Sequence, residues 1–176
     1  PVAQAAEEGG FCILDEINMA KNEAMAVMHS VLDYRRLIDV PGYQPIPMHP
    51  ATRFIATMNY GYAGTRELNE ALTSRFVVID MPAISEEGLQ KLLTREFPDL
   101  KPEYAAQFAG LFRDIQKKCD GGELSTKPLD LRGLMASVRL MKAGLAGGRA
   151  LELGLVNKSF DDFERQLVQD VILTRL

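Results

Sequence analysis

Phe11-Cys12-Ile13-Leu14 is a short apolar run that stops abruptly at Asp15-Glu16. Open α/β sheets bind ligands in the crevice at the carboxyl ends of their strands, so two carboxylates placed there face a ligand. An aspartate in that position can hold Mg²⁺ through the ion's water shell. A neighbouring glutamate can take the proton of an attacking water. The same residues also suit a strand that ends in a solvated acidic turn. A second apolar run, residues 53–58, stops at Asn59. If the two strands are neighbours, Asn59 lies near Glu16, where its amide can orient a water or touch a terminal phosphate; before Tyr60-Gly61 it also serves as a turn former. Arg75 precedes a third apolar run, residues 76–79. A guanidinium at a domain rim can meet the charge that develops on a transferring phosphoryl group in an adjacent subunit, or it is an ordinary surface arginine.

The elements that must position these residues are readable from periodicity. Gly9-Gly10 precedes the first run, and its continuous apolar character predicts a strand buried on both faces. Residues 1–8 show no cap and no clear period. From about residue 21 to 37, Met25, Met28 and Leu32, with Val27 and Val31, recur at helical spacing and predict a helix packed by a methionine stripe. Arg35-Arg36 then reads as its solvated end, where positive charge suits the helix dipole. Residues 37–40 and 46–48 flank Pro41-Gly42 and predict a hairpin or irregular excursion, because three nearby prolines disfavour a central strand. Residues 53–59 predict the second strand, residues 60–64 a loop, 67–74 a short helix and 76–79 a third strand. Beyond Pro82 no β-rich run follows. Ser85 with Glu86 and Glu87 predicts an N-cap and an acidic first turn. Helices are expected at about 85–97, 103–119, 129–145 and 160–174, with Ser159 and Asp162 as a capping box before the last and Gly147-Gly148 as a break. The chain therefore divides into an α/β part, residues 1–83, and an all-helical part, residues 84–176.

In their order and spacing these residues resemble the AAA+ ATPases. Residues 11–16 look like the Walker B strand, residues 54–59 like the sensor-1 strand, and Leu72-Thr73-Ser74-Arg75-Phe76 like the segment bearing an arginine finger. Leu129-Asp130-Leu131-Arg132-Gly133-Leu134 is similar to the sensor-2 motif, with Lys127 as a rival for that role. Asp15-Glu16-Ile17-Asn18 and Thr57-Met58-Asn59 most resemble the MoxR-type branch, with its CbbQ/NirQ and dynein-related relatives. The resemblance implies a partial parallel-sheet P-loop NTPase core followed by a helical lid, with ATP and Mg²⁺ as cofactors. It assigns Asp15 to Mg²⁺, Glu16 to water activation, Asn59 to sensing the γ-phosphate, Arg75 to a site in trans, and Arg132 or Lys127 to coupling nucleotide with lid position. It further implies a ring, a hexamer, and chaperone work that remodels a partner or inserts a cofactor, the partner often carrying a von Willebrand factor A domain. The family's phosphate loop lies upstream of Walker B, and no Gly-x-x-x-x-Gly-Lys-Ser/Thr occurs in this chain. The expectation is a chain that begins after that loop. The alternative is a non-catalytic module of AAA+ shape.

The totals exclude other classes. Net charge is −4 with acids and bases interspersed, which gives no basic surface for nucleic acid. No apolar run approaches the roughly 20 residues of a membrane span. Two cysteines without ligand spacing fit a reducing cytoplasm, and Cys12 reads as a small buried hydrophobe. His29 and His49 lack the spacing of a metal site. Without backbone donors and a lysine around the phosphates, positioning and charge stabilisation are both lost. The 176-residue chain by itself is therefore expected to release no more phosphate from ATP than buffer does in a malachite-green assay. Robust turnover by the purified chain would sink that expectation.

Overall fold

The computed structural model of the protein describes residues 1–59 and 68–175. The chain forms two compact units, Pro1–Met81 and Pro82–Leu176.

The first unit opens with a helix, α1 (Val2–Glu8), where no element was expected. Its alanines and glutamates are good helix formers, and Ala6 is fully buried. Near the end of α1 the Ala6 carbonyl accepts from the His49 N–H at 2.6 Å, and the Ala5 carbonyl accepts from both the Gly9 N–H at 3.1 Å and the Thr52 hydroxyl at 2.7 Å. Strand β1 (Phe11–Leu14) follows, then a 3-10 turn (Ile17–Met19) and helix α2 (Asn22–Leu32). Helix α2 stops short of the expected residue 37. Asp33 accepts from the Arg35 N–H at 2.9 Å, and this local bond offers the backbone an alternative to another helical turn. Arg35 and Arg36 thus lie beyond the helix. The Arg36 backbone is left-handed, and its guanidinium donates to the carbonyls of His49 and Thr52 at 3.3 and 3.0 Å.

The hairpin is present: β2 (Leu37–Ile38) pairs antiparallel with β3 (Ile46–Pro47). Strand β4 (Arg53–Ala56) returns to pair parallel with β1, in the register Phe11↔Arg53, Cys12↔Phe54, Ile13↔Ile55 and Leu14↔Ala56. Alternation along both strands sends Cys12, Phe54, Leu14 and Ala56 to one face. Leu14, Phe54 and Ala56 pack there with Ala6, Met28, Val31 and Leu72, and Cys12 is buried. The opposite face is not buried: Phe11 is 74% exposed, Ile13 67% and Ile55 47%. Burial on both faces was the expectation. It fails because all three helices of this unit, α1, α2 and α3 (Glu70–Thr73), contribute to packing on the same face among the described residues.

The loop expected at residues 60–64, and the expected helix start at residue 67, lie outside the described residues. The expected third strand, residues 76–79, does not form: Val77, Val78 and Ile79 are exposed and pair with neither β1 nor β4. An apolar β-branched run needs a neighbouring strand edge to become a strand, and none meets it among the described residues.

The second unit holds α4 (Glu86–Glu96), α5 (Pro102–Asp120), α6 (Leu131–Lys142), α7 (Gly147–Gly154), a 3-10 turn (Val156–Lys158) and α8 (Asp162–Arg175). The Ser85 hydroxyl caps α4 by accepting from Gly88 N–H at 3.1 Å, as expected. Before α8 the capping role falls to Asp161, which accepts from Glu164 N–H at 2.9 Å, and not to Ser159. Helix α7 was read as a break. Gly147 and Gly148 instead occupy its first turn, and Gly154 at its end lets it press against α6. A Cβ at residue 154 would overlap the Ser137 hydroxyl and the Gly133 carbonyl, so the two backbones approach as only glycine allows. Ser137 lies fully buried in that crossing, with its hydroxyl 2.9 Å from the carbonyls of both Gly133 and Ala150. Helices α4 to α8 share one core that includes Leu93, Leu111, Ile115, Leu134, Leu151 and Val168. Overpacking a close-packed site costs about 1–3 kcal/mol. Gly154→Ala is therefore expected to lower the thermal midpoint of this unit by several degrees, as about 4–8 °C accompanies each kcal/mol in a domain of this size. An unchanged melting curve would show that α6 and α7 separate freely.

Candidate functional site

The site grows out of the parallel pairing. Because β1 and β4 run in the same direction, their carboxyl ends lie at one edge, and the register carries on beyond Leu14 and Ala56 to set Asp15 beside Thr57. Thr57 N–H donates to Leu14 O at 3.0 Å, and Ile17 N–H donates to Thr57 O at 2.9 Å. The Thr57 hydroxyl donates to Asp15 Oδ1 and accepts from Glu16 N–H at 3.0 Å. Glu16 itself is left-handed, with φ 51° and ψ 48°. A non-glycine residue there costs on the order of 1–3 kcal/mol and persists only when its surroundings hold it. The bonds from Glu16 N–H and Ile17 N–H to Thr57 are that hold.

Asp15, Glu16, Thr57 and Asn59 are all exposed. The buried Asn18 donates from Nδ2 to the Asn59 carbonyl at 2.8 Å, which ties the turn after β1 to the end of β4. The two strand ends that carry Asp15-Glu16 and Asn59 therefore lie side by side. Among the described residues no group of three or more histidine, cysteine or acidic side chains could hold a metal ion. The described residues thus build no protein cage for a metal. One carboxylate suits Mg²⁺, which dehydrates reluctantly and keeps several waters. With Oδ1 engaged by Thr57, Asp15 offers Oδ2 to such a water. The donor chemistry fits a water-mediated hold at Asp15.

Arg75 sits just past α3. Its guanidinium donates to the Ala71 carbonyl and lies 3.8 Å from Asp33 Oδ2, with the side chain 27% exposed. Asp33 is shared: Arg35 Nη2 meets the same oxygen at 2.7 Å. The hydrogen bond from Arg35 leads the causes that hold the Asp33 carboxyl below its ordinary value, against some burial. Arg75 is thus drawn toward the end of α2.

Arg132 and Lys127 belong to the helical unit. Arg132 is exposed on the first turn of α6. Lys127 is exposed too, with its ammonium 5.5 Å from the centre of the Phe160 ring, a cation–π contact. The segment bearing Lys127 is pinned by Glu164 of α8, which accepts from Ser125 N–H at 2.7 Å and from the Ser125 hydroxyl at 3.0 Å.

The sequence reading gave no positioning role to Thr57, Asp33 or Glu164. Thr57 was passed over as one more residue of a strand, yet a hydroxyl two positions before Asn59 on a strand paired with β1 is a legible signal once the register is known. The link from Asp33 to Arg75 and that from Glu164 to Ser125 carried no local signal, because these partners lie far along the chain.

Residues 1–76 match the AAA domain family, dynein-related subfamily. Over 175 residues the chain is 36% identical to the uncharacterized protein YojN of Bacillus subtilis (strain 168), a match that covers 99% of this chain and 57% of that protein. Over 173 residues it is 32% identical to an uncharacterized protein of Staphylococcus aureus (strain NCTC 8325 / PS 47), covering 98% of this chain and 65% of that protein. The chain thus spans less than two thirds of the length of these relatives. The family match covers the region that holds Asp15, Glu16, Thr57 and Asn59. No described helix is long and apolar enough to cross a membrane.

Glu164 makes the helical unit sensitive to acid. Partial burial pushes its carboxyl upward, but the N–H and hydroxyl of Ser125 and the charge of Lys127 outweigh this and hold it below the ordinary value. A depressed carboxyl stabilises the fold above the unfolded-state value of about 4.3 and loses that contribution as pH falls through the folded-state value. Thermal melts of the parent and of Glu164→Gln should therefore differ at pH 7, with the parent more stable. The gap should begin to shrink below the unfolded-state value of about 4.3 and close as pH falls through the lower folded-state value. A gap that persists undiminished at pH 3 would assign the loss to packing and not to charge.

Proposed function

We propose that this chain carries the hydrolytic half of a MoxR-type AAA+ ATPase and that the intact protein couples ATP hydrolysis to remodelling of a partner protein. The observation that carries this reading is the joined pair of strand ends, where one threonine binds both members of the Asp15-Glu16 pair beside Asn59. Asp15 is the residue for the water shell of Mg²⁺, and the ion supplies charge neutralisation on the phosphates. Glu16 draws the proton from the attacking water, and Asn59 orients that water or contacts the γ-phosphate. Arg75 acts on nucleotide held by an adjacent subunit, which calls for a ring. Arg132, with Lys127 as the rival, links nucleotide to the position of the helical unit as a lid. The remodelling role, the hexamer and a partner with a von Willebrand factor A domain rest on the resemblance to MoxR-type proteins.

The test uses the full-length protein. Glu16→Gln is expected to bind nucleotide but to lose turnover by about 10²–10⁴-fold, the worth of a general base. Asp15→Asn should impair Mg²⁺-dependent binding or turnover as well. Arg75→Ala should bind ATP yet hydrolyse it poorly, as arginine fingers are worth about 10³–10⁵-fold in well-studied GTPases. Mixing Arg75→Ala with Glu16→Gln subunits creates interfaces where an intact Glu16 faces an intact Arg75, and activity should partly return. Normal hydrolysis by Arg75→Ala alone would remove the trans assignment. Near-normal hydrolysis by Glu16→Gln would remove the catalytic reading and favour a non-catalytic module.

A further inference from the structure

We propose that Thr57 is a positioning residue that makes Asp15 and Glu16 one unit and reserves a single oxygen of Asp15 for the Mg²⁺ shell. This deepens the ATPase reading above and rests on it. A threonine hydroxyl has one proton. A carboxylate can only accept and a backbone N–H can only donate. Between Asp15 Oδ1 and Glu16 N–H the hydroxyl has therefore one orientation: its proton points to Asp15 and its lone pair to Glu16. Two consequences follow at the same place. Asp15 is fixed in rotation with Oδ1 occupied, so Oδ2 is the oxygen left to meet a metal-bound water. Glu16 N–H is held at the point where its backbone is left-handed, so the direction in which the Glu16 side chain leaves the turn depends on the same hydroxyl.

The rest of Thr57 is tied down independently. Its N–H and C=O are both bound to the turn, to Leu14 and Ile17. Removing the hydroxyl therefore leaves the backbone anchored and changes chiefly the aim of the two acids. Outer-shell partners of a metal ligand are worth about 10–100-fold in metal affinity or activity.

The experiment measures steady-state ATP hydrolysis by the full-length protein against ATP and against Mg²⁺ for Thr57→Val and Thr57→Ser, with Glu16→Gln beside them. Thr57→Val, which keeps the shape and lacks the hydroxyl, is expected to lower kcat by about 10–100-fold. It should raise the Mg²⁺ concentration for half-maximal rate while leaving the KM for ATP near the parent value. Thr57→Ser is expected to restore most of both. If Thr57→Val does not fold, Thr57→Ala replaces it, since truncation at an exposed strand end creates no clash. Parent-like kcat and Mg²⁺ dependence in the hydroxyl-free variant, with Glu16→Gln inactive, would overturn the assignment of Thr57 and leave the ATPase reading standing. Equal losses in Thr57→Ser and Thr57→Val would also overturn it, because the hydroxyl would then not be the acting group. Full turnover by Glu16→Gln would bring down the ATPase reading and this inference with it.

Discussion

Parallel strands cannot be joined by a tight turn, so the chain that leaves β1 must travel back across a face of the sheet before β4 can begin. Residues 15–52 make that journey through the 3-10 turn, α2 and the β2–β3 hairpin. The return holds because α2 places Met28 and Val31 in the core shared with Leu14, Phe54 and Ala56. The reward is a carboxyl edge at which two strand ends lie side by side. Everything at the candidate site inherits its place from that ladder. The Thr57 backbone is bound to Leu14 and Ile17 first, and its hydroxyl then falls between Asp15 and Glu16 as a result.

The two units are built on different physical terms. The helical unit has one continuous core and a close α6–α7 crossing in which glycine and a buried serine replace bulk. The first unit buries one face of a two-stranded sheet and leaves Phe11, Ile13 and Ile55 open on the other. An isolated strand pair is marginal in water, and here, among the described residues, helices and the hairpin support it from one side only. The precise part of the site thus stands on the part of the chain with fewer buried apolar side chains, and its order depends on polar bonds at the strand ends.

Much of this arrangement could be read from the residues. The run from Phe11 to Leu14 and the run from Arg53 to Ala56 declared themselves as strands, and the change of period after Pro82 marked where helices take over. That the acidic pair and Asn59 stand at the ends of strands was legible because each apolar run stops at them. What was not legible depended on pairing and packing. The apolar run at residues 76–79 has the composition of a strand and no neighbour to pair with among the described residues. Gly147 and Gly148 look like a break, yet burial of Ala150 and Leu151 carries the helix through them. Residues 1–8 gave no periodic signal because a seven-residue helix with one fully buried alanine has almost no stripe to show. Arg75 was recognisable as a candidate, but its approach to Asp33 links residues on separate elements and leaves no trace in local spacing.

The left-handed backbone of Glu16 sets two selective pressures against each other at one residue. Glycine would occupy that conformation at no steric cost, and relief of a left-handed side chain is worth about 1–2 kcal/mol. Asparagine would also tolerate it better than glutamate does. Stability alone would thus push this position away from the side chain proposed above as the base. A lineage that stopped needing hydrolysis would be expected to drift toward glycine or asparagine at position 16. On the proposed reading, position 16 becomes the place where retired and working copies of this fold would be told apart by inspection.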